Sequence, residues 1–521
     1  MRKSVLLALP ALALAGYVGV DRALEARALA PMKAEVLSLR ADMTRAPAAP
    51  VAAPATPPNI VLIVADDLGW RDVGYNGSEI ATPVMDGLAA EGVALTRFYA
   101  QPTCTPTRAA LMTGKSPMRL GISNPLSKNN PTGLPITETT LAERLGDAGY
   151  QTALVGKWHL GARNLDYHPN ARGFDHYYGN LTGGVGYWDK VHGGGYDWQR
   201  NGVSVRDDGY ATRLLADEAV DVIERRDPDR PLFLYAAFGA PHLPNEAPQE
   251  TIAAQAHIGD EHRKVHAAMV SELDTAIGEI RDALEAEGIA ENTLIWFMSD
   301  NGGLVREHPL RKMPGPIFAR AIESRLGVEV TPRFQEFVRV NLNTGGSDNR
   351  PFKGGKQTIR EGGVRVPSFV HWPGTLEPAE YRYMATVQDV FPTLLEIASG
   401  PELTVDGESL WTGLMTDTPA PARDYIVRTN AGGERTAIYR FPYKLIERGE
   451  DRELFDIYAD PFEATDIAKE NPDIVAELSA ALEAMPRGED IGIDLQEVVD
   501  DPDYFGGEED REPWAETAYR P

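Results

Sequence analysis

The chain has 521 residues and one cysteine, Cys104, so no disulfide can form within it. Basic side chains are scarce: 51 Lys plus Arg stand against 77 Asp plus Glu, a formal net charge of −26. That field argues against nucleic acid and anionic membranes as partners, and a polyanionic substrate would have to meet a local basic pocket. Internal repeats are absent. The N-terminus lacks a clean bilayer span. Arg2 and Lys3 precede an apolar run over residues 5–15, Ala13-Leu14-Ala15 resembles a small-residue cleavage site, and the run extends to Val20 before meeting Asp21 and Arg22. A spanning helix needs about 20 apolar residues. Residues 1–20 therefore read as a signal peptide, with an uncleaved anchor as the alternative, and the protein as periplasmic or secreted. Residues 21–58 pass from an Ala/Leu-rich helical stretch into a Pro/Ala spacer, a stalk that could tether the rest to a membrane.

In an oxidising compartment a lone cysteine is an inert core residue, a reactive thiol or a side chain destined for modification. The surrounding Pro102-Thr103-Cys104-Thr105-Pro106-Thr107-Arg108 favours the last. Pro106 suits a first helical turn, and Arg108 falls one turn beyond Cys104 on the same face. The run 109–113 is helix-permissive and Gly114 is a good stop. Position 104 would then lie at a helix N-terminus beside a guanidinium, a seat for a tetrahedral oxyanion.

Four apolar runs end abruptly in polar residues, the pattern of buried parallel strands with function at their C-terminal ends. Residues 60–65 run into Asp66-Asp67, 152–155 into Gly156-Lys157-Trp158-His159, 232–236 towards Pro241-His242, and 294–299 into Asp300-Asn301. Helical patterns lie between them, including a capping box at Thr140-Leu141-Ala142-Glu143 and an amphipathic stretch over 265–287. The expected fold is α/β: a large, mixed, mostly parallel sheet sandwiched by helices, spanning 59–420. Beyond a composition change near 419–423, residues 421–488 read as antiparallel strands and a helix from Asn471-Pro472, ended by Pro486. Residues 489–521 form an acidic tail without regular ligand spacing.

Asp66, Asp67, Asp300 and Asn301 together make a hard oxygen site, suited to Ca²⁺ or Mg²⁺ rather than zinc. Singly, each pair is also a good turn former. Lys157 and His159 occupy alternating positions after a strand, so both can face one pocket. Asn180, Tyr187, Trp188, His192 and Trp198 lie in a Gly- and aromatic-rich loop that could line a sugar-binding mouth or simply pack on itself.

Cys-x-Pro-x-Arg continuing into Leu111-Met112-Thr113-Gly114 resembles the signature of type I sulfatases, of the alkaline phosphatase-like superfamily. A second signature, Gly149-Tyr150-Gln151-Thr152-Ala153-Leu154-Val155-Gly156-Lys157-Trp158-His159, follows in order. The resemblance spans about 59–468 and implies hydrolysis of sulfate esters, of sulfated carbohydrates or aryl alcohols. It implies that a formylglycine-generating maturation enzyme converts Cys104 to Cα-formylglycine, whose hydrate is the nucleophile. It implies metal ligation by Asp66, Asp67, Asp300 and Asn301 with the modified Cys104, Ca²⁺ in preference to Mg²⁺. It assigns Arg108 to the hydrated aldehyde, Lys157 and Lys356 to sulfate, His159 to proton removal from the second hydroxyl, and His242 to the leaving oxygen. His242 or Lys356 could protonate the departing alcohol. Gln101-Pro102, Arg172-Gly173-Phe174-Asp175 and the run 345–354 look most like the arylsulfatase B-like branch, the N-acetylgalactosamine-4-sulfatases and relatives. A charged insertion over 304–343, with a helical hint over 318–326, departs from that pattern, as does the absence of disulfide cysteines. Two other readings remain: a phosphonate or phosphate ester hydrolase with the same pocket, and a non-catalytic sugar-binding protein with an unmodified thiol.

Overall fold

The computed structural model describes residues 48–128, 130–192, 195–305, 345–400, 403–430, 434–489 and 491. The N-terminal segment, most of the stalk, nearly all of the insertion with its helical hint, and most of the acidic tail lie outside them. No described helix is long and apolar enough to cross a membrane.

A ten-stranded sheet organises the chain. Its centre is five parallel strands, in spatial order Thr293–Ser299, Asn59–Ala65, Leu232–Ala237, Gln151–Gly156 and His176–Gly179. Ser368–His371 joins one side antiparallel and Gln199–Arg200 the other. Every residue of Asn59–Ala65 is buried because both faces are covered. Side chains alternate: Ile60, Leu62 and Val64 pack with Ala109, Leu111, Leu141 and Val390. Val61, Ile63 and Ala65 pack with Leu88, Leu215, Ala267 and Ile277 on the other face. Helices Cys104–Thr113, Leu141–Asp147 and Val387–Ile397 thus cover one side. Pro83–Glu91, Ala211–Glu224 and Glu261–Ala286 cover the other.

Register places the site. Ala65 pairs with Ser299, Val64 with Ala237, and Ala237 with Gly156. The four strands therefore end within one residue of one another, and Asp66, Asp300 and Lys157, which follow three of them, emerge side by side on the C-terminal rim. Amide bonds from Asp300 to Ala65 O (3.0 Å) and from Lys157 to Ala237 O (2.8 Å) carry the ladder that far.

A four-stranded antiparallel sheet follows, from Tyr425–Thr429, Arg435–Arg440, Tyr443–Arg448 and Asp451–Asp456. One face carries helix Pro472–Ala484 through Leu478 and Leu482. The other packs Val427, Tyr439 and Phe455 onto Tyr99, Ile359 and Val364 of the larger part. Lys444 is fully buried at this junction, 3.1 Å from Glu361 and 2.8 Å from Glu463.

Candidate active site

Helix Cys104–Thr113 begins at the cysteine, with Thr103 in extended conformation before it and Gly114 closing it at φ 67°. One turn separates Cys104 from Arg108, so both point into the same buried space. Cys104 Sγ lies 3.4 Å from Asp66 Oδ1. Arg108 donates from Nε and Nη2 to Asp300 Oδ2 (3.1 and 2.9 Å) and from Nη1 to Lys157 O (2.8 Å). Lys157 Nζ donates to Asp66 Oδ2, and Lys356 Nζ reaches the Asp67 carboxylate at 2.8 Å. Three acids and three cations thus interlock around one thiol.

Asp67 sits at φ 66° and His159 at φ 59°, left-handed conformations that few side-chain-bearing residues adopt. The Asp67 amide donates to Asp300 Oδ1 at 3.2 Å, which ties the two strand ends together. Asn301 Nδ2 donates to Asp67 Oδ1 at 2.7 Å and to Gly302 O at 3.0 Å. Its carboxamide oxygen is buried and receives no hydrogen bond. An acceptor stranded beside carboxylates calls for a cation. Ligand atoms of Asp66, Asp67, Cys104 and His242 also lie within 4.8 Å of one another. The donor set is dominated by oxygen and fits a hard divalent ion.

The histidines are polarised by backbone carbonyls. His159 Nε2 is 3.0 Å from Leu126 O. A carbonyl only accepts, so Nε2 carries the hydrogen and Nδ1, buried and without a partner, presents a bare lone pair. His242 is the mirror case: Nδ1 donates to Leu243 O at 2.7 Å, leaving Nε2 to face Asp67 Oδ2 at 3.7 Å. Two glycines separate the rings. A Cβ on Gly183 would lie 2.7 Å from His159 Cε1, and one on Gly184 would lie 3.0 Å from His242 Cε1.

Burial shapes the electrostatics. Burial favours neutral Asp66, but Lys157, His242 and Arg108 outweigh it and hold the carboxyl well below the usual range. Asp300 is pushed up to about 6 by burial and by the charge on Asp66, with Arg108 opposing. Burial and the charges of Asp300 and Asp66 push the Cys104 thiol up. Burial, aided by Lys157 and Arg108, keeps His159 well below the ordinary imidazole value, and burial with Lys356 lowers His242 to about 4.

Asp66, Asp67, Cys104, Arg108, Lys157, His159, His242, Lys356, Asp300 and Asn301 therefore all occupy one rim of the sheet. The structure adds supports that motif reading missed. Thr107 Oγ1 donates to Asp300 O (2.5 Å), and Arg108 Nη1 lies 3.4 Å from the Tyr235 hydroxyl. Asn349 clamps Gly303 from both sides, accepting from its amide and donating to its carbonyl at 2.9 Å each. Asp72, fully buried, accepts from Gly69 N, His266 Nε2 and Ser347 Oγ, tying the loop after the aspartates to residues 345–349. Of the two readings of the aromatic loop, packing describes Asn180, Tyr187 and Trp198, which are buried, Trp198 edge-on to Tyr178 at 5.3 Å, beside a small cavity that Lys157 and His242 also line. Of that set Trp188 alone is exposed, and the His192 side chain lies outside the described residues.

A covered, mostly parallel sheet with this acid and cation cluster on its C-terminal rim fits the alkaline phosphatase-like superfamily. Residues 58–400 match the family model described as Sulfatase, and the chain belongs to the sulfatase family. It is 34% identical to mouse Arylsulfatase J over 75% of this chain and 61% of that protein. It is also 34% identical to mouse N-acetylgalactosamine-6-sulfatase, over 70% of this chain and 68% of that one. The chain thus spans somewhat less than two thirds of the first of these relatives. Among solved structures, that of Ps i-CgsB in complex with k-i-k-neocarrahexaose is similar, with TM-score 0.74 and 30% identity over 85% of this chain and 96% of that one. Sulfatases of this family work in general with a metal ion and formylglycine, and the buried Asp-Asp-Cys-His cluster is compatible with both.

Proposed function

We propose that this protein hydrolyses sulfate esters of carbohydrates or aryl alcohols, at a site built on formylglycine made from Cys104 by a maturation enzyme. The observation that carries the reading is the convergence of three buried carboxylates, the stranded Asn301 oxygen and three cations on Cys104 at a helix N-terminus. Asp66, Asp67, Asp300 and Asn301 would hold the metal, and Ca²⁺ suits them because it tolerates many oxygens in loose geometry. Bound there, such an ion would supply Lewis-acid charge to the hydroxyl of a formylglycine hydrate at position 104 and to sulfate oxygens.

The chain's own residues do the rest. Arg108, fixed by Asp300 and by Lys157 O, holds position 104 in place and keeps Asp66 and Asp300 charged side by side. Lys157 and Lys356 bring positive charge to a sulfate against the acidic field of the whole protein. His159 Nδ1, the bare lone pair, takes the proton of the second hydroxyl as sulfate leaves. His242 and Lys356 both lie against Asp67, and one or the other protonates the departing alcohol.

Residues 59–420 are the catalytic part, 421–488 the smaller C-terminal part, and 489–521 an acidic tail. Residues 1–20 serve as an export signal or, if uncleaved, as an N-terminal membrane anchor, placing the enzyme in the periplasm or outside the cell, and 21–58 serve as a stalk. The likeness to Ps i-CgsB, solved with k-i-k-neocarrahexaose, and to N-acetylgalactosamine-6-sulfatase favours a sulfated glycan over a simple aryl sulfate. The branch expected is the N-acetylgalactosamine-4-sulfatase-like one. Matched sulfate and phosphate esters test the reaction class: sulfate is expected to be turned over at least about tenfold faster in kcat/KM, and a phosphate preference ends this reading.

A further inference from the structure

Trp188 is the one exposed aromatic side chain among the described residues, 50% accessible. It is not on a loose loop. Its turn is closed by Gly186 N to Val191 O (3.1 Å) and Lys190 N to Gly186 O (3.0 Å), and Lys190 Nζ donates to Trp188 O at 3.0 Å. The Tyr187 amide donates to Glu246 Oε2 at 2.9 Å, and the Trp188 amide faces the same carboxylate. One side of the indole leans on Tyr210 at 5.2 Å. The turn and Tyr210 together fix the ring, and half of its surface is left facing solvent.

The same turn is geared to the site. Tyr187 Oη bridges Gly239 O (2.8 Å) and His242 O (2.9 Å), so the residue next to Trp188 fixes the backbone of His242. Gly183 and Gly184, where an added Cβ would press on the rings of His159 and His242, precede this turn by a few residues in the chain. Carboxylates outnumber cations around the turn: Asp189, Asp207 and Asp208 lie about Lys190, with the exposed Arg206 held over the Tyr196 ring, and Asp189 and Asp208 are exposed. A second sulfate there would be repelled.

We propose that Trp188 is the stacking platform of a subsite for an uncharged sugar ring adjoining the sulfated one. The apolar C–H face of a pyranose covers the indole, and a rigid aromatic anchor loses little entropy on binding. The proposal rests on the sulfatase reading and selects within it glycans whose residue beside the cleaved ester carries no sulfate.

The test compares wild type, W188A and W188F on 4-nitrophenyl sulfate and on sulfated galactan and glycosaminoglycan oligosaccharides, with neutral or sulfated neighbours to the target residue. In W188A the kcat/KM ratio of neutral-neighbour oligosaccharide to 4-nitrophenyl sulfate is expected to fall about tenfold, through KM, with W188F in between. Wild type is expected to prefer the neutral neighbour. An unchanged ratio, a preference for the sulfated neighbour, or turnover of 4-nitrophenyl sulfate alone overturns the subsite. Wild type that cleaves no sulfate ester overturns the parent reading instead.

Discussion

Asp66 and Asp300 are buried acids that stay close because Arg108 lies between them, 2.9 Å from Asp300 and 3.8 Å from Asp66. Arg108→Ala would leave Asp300 buried without its ion-pair partner, beside an Asp66 that keeps only Lys157. Breaking a buried pair by removing one partner costs about 3–5 kcal/mol. The expected outcome is a fall of that size in unfolding free energy, read from urea titration; a loss below about 1 kcal/mol contradicts it. At this scale the sequence was informative where residues carry chemistry in motifs: Cys104, Arg108, Lys157 and His159 follow from two short signatures. It was silent on Thr107, Tyr235 and Asn349. Their hydrogen bonds join segments up to about two hundred residues apart, and no local pattern announces such a partner.

Elements position those residues, and helix Ala211–Glu224 shows how tightly. Its Glu218 accepts from His176 Nε2 at 2.8 Å and from Arg200, pinning two strands beneath the aromatic loop. Burial opposes ionisation of Glu218, but hydrogen bonds from His176 and Arg200 prevail and lower it to about 2. A depressed folded value means its stabilisation is complete above about 4.5 and is lost as pH falls through about 2. Glu218→Gln should flatten the stability profile between those values and leave its slope above pH 5 unchanged; denaturant midpoints across that range check it. The central strands were legible because burial on both faces makes continuous apolar runs. Strand Tyr425–Thr429 was not, being five residues long and next to a Pro-rich stretch. Helix Glu261–Ala286 starts earlier than its apolar stripe suggests: the Asp260 side chain caps His262 N and Arg263 N over a polar first turn. The sequence leaves Tyr187 and Trp198 open between a mouth and self-packing, because a loop aromatic and a core aromatic look alike until burial is known.

The whole molecule meets its substrate with a formal charge of −26, so the rim cluster must reverse the field locally. In the proposed reading a bound divalent ion would do so and would couple the site to global stability. An ion that binds only the folded state at a hundred times its Kd adds about 2.7 kcal/mol. Chelation of purified protein should lower Tm and Ca²⁺ should restore it, while Asp67→Asn should show little of either response. A Tm indifferent to chelation and calcium, in wild type, would remove the ion from the account.

The most direct measurement is peptide mass at position 104 in natively produced protein, paired with the activity of Cys104→Ala. The account predicts an aldehyde in place of the thiol and loss of sulfate ester hydrolysis in the alanine variant by at least about a thousandfold. A thiol retained in fully active protein, or an alanine variant as active as wild type, contradicts it.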